Sequence, residues 1–283
     1  MFLRVLRTAK ATLSRTFYLD EAEAVATGDV LVSVTRLDGT AVENGVAVAD
    51  GQGGYTYDFG GSILLDELEL TWAATIGGDA IVLTDRIEVV GGFYFALAEG
   101  RDVDRALRDT TKFPTSKLIE RRIETEDECE RITGQAWVPR FCRETVPAYG
   151  TGPLQLTHPF IRAVRSVSVA GVAYAPAVVT SLGYNELGLL HRSAGWPSGT
   201  NVTVEYEHGH DRPNSEIVRA AKLRFKSLLL EGGSALPDSA ERRITVDAQG
   251  GSTIYSSPTA EKTGIPAVDA IYGRYSDNRP GFG

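Results

Sequence analysis

The 283-residue chain is poor in the residues that advertise chemistry. It has two cysteines, Cys129 and Cys142, and four histidines. Two thiols are too few for a disulfide scaffold, and they lack the CxxC pairing of a zinc site. They read as reduced, partly buried side chains, with a bridge between them left open. No apolar run approaches the ~20 residues of a membrane span, so no membrane contact is expected. The opening Met1-Phe-Leu-Arg-Val-Leu-Arg has no continuous hydrophobic region and no small-residue cleavage site. That speaks against a signal peptide and for a cytoplasmic origin. GxGxxG, P-loop and GxSxG patterns are missing too, which removes the common signatures of dinucleotide binding, NTP hydrolysis and serine hydrolysis. No cofactor is expected.

What is present fits a globular chain: 42% hydrophobic and 23% charged residues. The length allows one large domain or two ordinary ones. It also buries enough apolar surface to fold without a disulfide or a metal. The net charge of −8 is unevenly spread. Residues 1–97 hold 6 Lys/Arg against 14 Asp/Glu, whereas residues 98–283 hold 23 of each. A boundary near residue 97 is one simple explanation. An acidic first third is a poor grip for nucleic-acid phosphates.

The two parts differ in hydrophobic period. Asp29-Val-Leu-Val-Ser-Val-Thr-Arg, Gly54-Tyr-Thr-Tyr-Asp-Phe, Leu68-Glu-Leu-Thr-Trp and Arg86-Ile-Glu-Val-Val alternate as strands do. Asp38-Gly39 and Asn44-Gly45 mark tight turns, and paired glycines at 60–61, 77–78 and 91–92 separate the remaining runs. Short strands at this spacing predict an immunoglobulin-like β-sandwich over 1–97, with Trp72 in its core.

Beyond Gly92 the pattern becomes mixed. Residues 98–109 predict a short amphipathic helix. A second helix follows Pro114, capped by Thr115 or Ser116. Its stripe runs Ile119, Ile123, Cys129, Ile132 and Ala136, Glu126 lies at the stripe's edge, and Gly134 terminates it. Strand-like runs cover 141–146, 164–172, 188–191 and 202–206. Asn214 or Ser215 caps a third helix, which buries Ile217, Val218, Ala221, Phe225, Leu228 and Leu229 and stops at Gly232-Gly233. Residues 234–263 predict a long loop with a hairpin around 244–246 and 253–255. A short last helix begins at Pro266. The overall class is therefore α+β.

The search for chemistry finds one cluster, His208-Gly-His210-Asp211. Two His and an Asp suit a divalent ion, or a base with its orienter. Gly209 and Pro213 favour a strand ending in a polar turn capped by Asp211, and whether the cluster binds anything stays open. Glu124, Glu126, Asp127, Glu128 and Glu130 read as a solvated helix face flanked by Arg121, Arg122 and Arg131. Arg219, Lys222, Arg224 and Lys226 are few and lack interleaved aromatics, which argues against DNA binding. The last helix cannot be stable alone. It packs at home or on another chain, and its tyrosines favour the second.

Three segments carry a resemblance. The stretch Glu120-Arg-Arg-Ile-Glu-Thr-Glu-Asp-Glu-Cys-Glu-Arg-Ile-Thr-Gly-Gln-Ala-Trp-Val-Pro-Arg-Phe-Cys-Arg-Glu-Thr-Val resembles a helix followed by "TG-x-x-(aromatic)-V-P-R". Val202-Thr-Val-Glu-Tyr-Glu-His-Gly-His-Asp-Arg-Pro contains a "Y-x-H-G" turn, and Thr263-Gly-Ile-Pro-Ala-Val-Asp-Ala-Ile closes the set. In this order they are similar to the head-to-tail adaptor proteins of actinobacterial long-tailed bacteriophages, over residues 98–283. The resemblance implies an adaptor core at 98–262 and a portal-docking tail at 263–283. It implies a non-enzymatic virion protein at the head-tail junction, assembled in the host cytoplasm. The ring, of twelve copies in the family, sits below the portal protein, passes DNA without specific binding, and receives a stopper or other neck protein. Portal docking maps onto Ile265, Pro266, Val268, Ile271, Tyr272 and Tyr275. Two alternatives stand beside it. One is another neck or tail-end structural protein. The other is a carbohydrate-binding module or hydrolase using His208, His210 and Asp211. The role of the N-terminal β region is not implied by the family.

Overall fold

A computed structural model describes residues 2–150, 152–230 and 262–276. The expected stop at Gly232-Gly233, most of the long loop and its hairpin lie outside these residues. The N-terminal strands are β1 (Phe2–Leu6), β2 (Ala11–Thr16), the small hairpin β3 (Tyr18–Leu19) and β4 (Ala22–Glu23), β5 (Leu31–Arg36) and β6 (Ala41–Val46). β7 (Val48–Ala49), β8 (Gly54–Phe59), β9 (Asp66–Ile76) and β10 (Asp79–Val90) complete them. Strict alternation along β9 turns Leu68, Leu70, Trp72, Ala74 and Ile76 inward, as a two-residue period requires. A five-stranded sheet of order β1-β10-β9-β5-β6 and a three-stranded sheet β2-β8-β7 share one core. In it Val32, Val34, Leu70, Trp72 and Ile87 meet Leu13, Tyr55, Tyr57 and Phe59. β1 runs parallel to β10, and the other pairings are antiparallel.

Asp38-Gly39 forms the expected turn, with Gly39 at φ +85° and the Thr40 N–H donating to Asp38 Oδ1 at 2.9 Å. Asn44-Gly45 does not turn. Both residues lie inside β6. A Cβ on Gly45 would sit 2.6 Å from the Tyr57 ring. Glycine is there for close packing rather than for its backbone freedom.

The expected helix over 98–109 is two pieces: α1 (Leu97–Arg101) and a 3₁₀ turn (Arg105–Arg108). Asp104 accepts the Ala106 N–H at 2.9 Å, and this local side-chain bond starts a new turn. α2 (Thr115–Thr133) begins directly after Pro114 and ends at Gly134 in the left-handed region. Then come β11 (Arg140–Ala148), β12 (Leu154–Gln155), β13 (Ile161–Val169), β14 (Val172–Ala173) and α3 (Pro176–Thr180). β15 (Gly183–Tyr184), β16 (Leu189–His191), β17 (Thr200–His208), α4 (Ser215–Leu230) and α5 (Pro266–Tyr275) follow. α4 is capped by Asn214, whose Oδ1 accepts the Ile217 N–H at 2.9 Å. The antiparallel sheet β11-β17-β13-β14 carries one core, and α2, α4 and α5 pack on one another around a second.

The acidic stretch on α2 is solvated only in part: Glu124 and Asp127 are exposed, and Glu126 is not. Glu126 is 0% exposed. Its carboxylate accepts the Tyr94 N–H at 2.9 Å and meets Arg4 at 3.2 Å and Arg140 at 3.5 Å. Arg4 also reaches Glu88 at 2.6 Å, as well as Asp127, and Arg140 reaches Glu130 at 2.7 Å. Burial pushes the Glu126 carboxyl up, against the pull of Arg140 and Arg4. Burial alone would lower Arg140, but Glu130, Glu88 and Glu126 outweigh it and hold the guanidinium charged. This buried cluster joins β1 and β10 to α2 and β11, beside a backbone bond from the Gly91 N–H to the Pro139 carbonyl at 2.9 Å.

Candidate functional site

An open groove of about 1110 Å³ lies where β17 ends. Its lining comes from two of the segments singled out in the sequence, from the end of α5 just beyond the third, and from Phe160, Glu186 and Leu187 in loops. Gln135 and Trp137 belong to the stretch after α2, His210 and Arg212 follow β17, and Arg274 and Tyr275 end α5. The imidazole of His210 stacks on Trp137 at 4.8 Å, with Phe160 4.2 Å away on a tilted plane. Trp137 meets Tyr275 edge-on at 5.2 Å. Polar contacts fix the arrangement. His210 Nε2 lies 3.0 Å from Gln135 Oε1, and Gln135 Nε2 donates to the Tyr275 carbonyl at 2.7 Å.

The backbone here is tightly determined. Gly209 sits at φ +95°, and a Cβ on it would fall 2.5 Å from the Val138 carbonyl oxygen. Its N–H donates to the Phe160 carbonyl at 3.0 Å, and the His210 N–H donates to the Ala136 carbonyl at 3.1 Å. Phe160 itself adopts φ +57°. A bulky residue holds that left-handed conformation only where its surroundings over-determine it. Here its N–H donates to Glu186 O at 2.9 Å while its carbonyl is held by Gly209.

The histidines do not converge. His208 is buried and stacks on His158 at 4.1 Å, away from His210. Burial pulls its imidazole down to about 2, helped by His158 and Arg140. His210 is also lowered, by partial burial. Asp211 pairs with Arg162 at 2.6 Å on the surface. Among the described residues no group of three or more His, Cys, Asp or Glu is placed to hold a metal. Both cysteines are free thiols, and burial raises Cys142 to about 12 and Cys129 further still. Three of the four basic residues on α4 meet acids of this chain: Lys222 with Glu99, Arg224 with Glu128 and Lys226 with Asp104.

No family model and no curated protein matches the sequence. Several solved chains are similar. One of them comes from the neck of an empty GTA particle computed with C6 symmetry, and the alignment covers 67% of this chain and 93% of that one. The identity is 15% and the TM-score 0.43. At those values the likeness to a neck protein carries no argument about activity or partners.

The structure buries three of the six expected docking residues and leaves the other three at or outside the margin of the same core. Val268, Ile271 and Tyr272 are 0%, 3% and 0% exposed and belong to the core between α2, α4 and α5. Ile265 and Tyr275 are half-buried, and Pro266 is exposed. Sequence reasoning missed Phe160 and Glu186 as neighbours of His210. Neither stands in a recognisable motif, and the pairing that brings them in runs through loop backbone.

Proposed function

We propose that this chain is a structural virion protein that forms a ring at the head-tail junction, below the portal, and joins it to the next neck protein. The observation that supports this reading is that two of the adaptor-like segments meet at one groove with the end of α5, the helix that the third segment begins. Segments whose only link in the sequence is their order in a family share a single surface site, with Trp137, His210 and Tyr275 in ring contact. We take residues 1–97 as an accessory immunoglobulin-like sandwich, 98–262 as the adaptor core and 263–283 as the portal-docking tail. In this reading Ile265, Pro266 and Tyr275 offer the docking surface, while Val268, Ile271 and Tyr272 hold the helix in place. DNA passes the ring without specific binding. The in-house pairing of Lys222, Arg224 and Lys226 suits such a channel.

The test is co-sedimentation of the full chain with the purified portal protein. Wild type is expected to form a large complex. Pro266→Asp combined with Tyr275→Ala is expected to abolish it while the far-ultraviolet dichroism stays unchanged. Undiminished binding by this folded double variant removes the docking assignment. Absence of any wild-type complex removes the portal reading.

A further inference from the structure

We propose that the groove is the receiving half of a contact between copies of this chain, and that its occupant is Tyr149 of a second copy. The inference deepens the ring reading above and rests on it. A ring of identical chains needs two different patches, one fitting the other, at opposite ends of each subunit. The β11-β17 ladder supplies that geometry. Arg140 pairs with His208 at one end and Ala148 with Thr200 at the other. His210 lies two residues beyond the first end, and Tyr149 lies one residue beyond the second. Nine paired residues separate groove and tyrosine by roughly 30 Å.

Tyr149 is the most exposed large apolar side chain among the described residues, at 86%. Its backbone is nevertheless held on both sides. The Ala148 carbonyl accepts the Gly199 N–H, and the Gly150 carbonyl accepts the Trp196 N–H, both at 2.9 Å. A fixed, protruding tyrosine loses little conformational freedom when it inserts. Val172, 69% exposed, adds apolar surface at the same end. Residues 146–156 carry no charge, so no ion has to shed its water on entering an aromatic groove.

The groove matches in chemistry. Phe160 and the free edge of His210, which is packed between Trp137 and Phe160, offer edge or offset contact, and the backbone bonds at Phe160 hold that wall in place. Glu186 and Arg212 line the same groove and offer an acceptor and a donor to the phenol.

Cysteine cross-linking tests the contact in the full chain carrying Cys142→Ala, which leaves the buried Cys129 as the native thiol. Leu187 lines the groove and is 57% exposed. The double variant Tyr149→Cys/Leu187→Cys, oxidised at high concentration, is expected to give a ladder of oligomers. A mixture of the two single variants is expected to give dimers only, and each alone no product. Tyr149→Ala is expected to weaken self-association about tenfold or more. Dimers from Tyr149→Cys alone overturn the head-to-tail contact. Oligomers without cross-links overturn the groove as receiver and leave the ring reading intact. Monomers without cross-links also overturn the contact, and the portal experiment then judges the ring separately.

Discussion

Gly209 bears the hardest steric constraint at the groove. At φ +95°, with the Val138 carbonyl oxygen 2.5 Å from any Cβ, alanine meets both backbone strain and a clash. Gly209→Ala is expected to cost about 2–3 kcal/mol, read as a lower urea midpoint. A loss under ~0.5 kcal/mol would show that the loop relaxes around it. His208, one residue earlier, makes stability depend on pH. Its folded value of about 2 lies below the 6.5 of an unconstrained histidine. The stability it contributes is present above pH 6.5 and is lost as the pH falls from there toward 2. His208→Leu is expected to flatten the wild-type decline by up to ~1.4 kcal/mol per pH unit in that window, measured by urea unfolding at stepped pH. Equal slopes would sink this account. The sequence marks both histidines, because their spacing is visible. It does not reveal that one joins His158 and the other Trp137, since a glycine between them frees the chain to turn. Glu126 is misread for a related reason. Helical periodicity counts neighbours three and four residues away, whereas its partners Arg4 and Arg140 come from other elements.

Among the elements, α5 shows most clearly what local pattern can and cannot tell. Pro266 at its first turn and the Val268, Ile271 and Tyr272 stripe are legible, because proline and a three-to-four spacing act within one helix. Which surface covers the stripe is decided by α2 and α4, and no local rule reaches that far. Tyr272→Ala is expected to cost about 3–5 kcal/mol, seen as a lower Tm. Deleting everything from Thr263 onward would uncover the same core. Lost portal binding in that truncation would therefore say nothing specific about docking, which is why Pro266 and Tyr275, outside the buried stripe's centre, are the informative targets. Elsewhere the strands are read well where alternation is strict, as in β8, and the break between α1 and the following turn is missed. There a single side-chain bond from Asp104 outweighs helical periodicity over 98–109.

For the molecule as a whole, the charged cluster around Arg140 links the N-terminal sheet to the helices. Arg140→Leu leaves Glu126, Glu88 and Glu130 with less compensation in a buried site. It is expected to cost about 3–5 kcal/mol and to speed amide exchange in β1 and β10. The exposed pair of Arg108 and Asp102 is the control, and Arg108→Ala there should stay within about 0.5 kcal/mol. If the two variants cost the same, the cluster is no junction. The composition break near residue 97 announced a change of character in the chain but not this coupling, since a charge count cannot show which ions meet. The parallel pairing of β1 with β10 has one more consequence, and it concerns time. β1 is made some 85 residues before its sheet partner, and the α2 carboxylates that pair with its Arg4 come later again. At typical synthesis rates that is a wait on the order of ten seconds. Throughout it β1 lacks its sheet partner, so the nascent chain is open to mispairing at this strand until β10 is made.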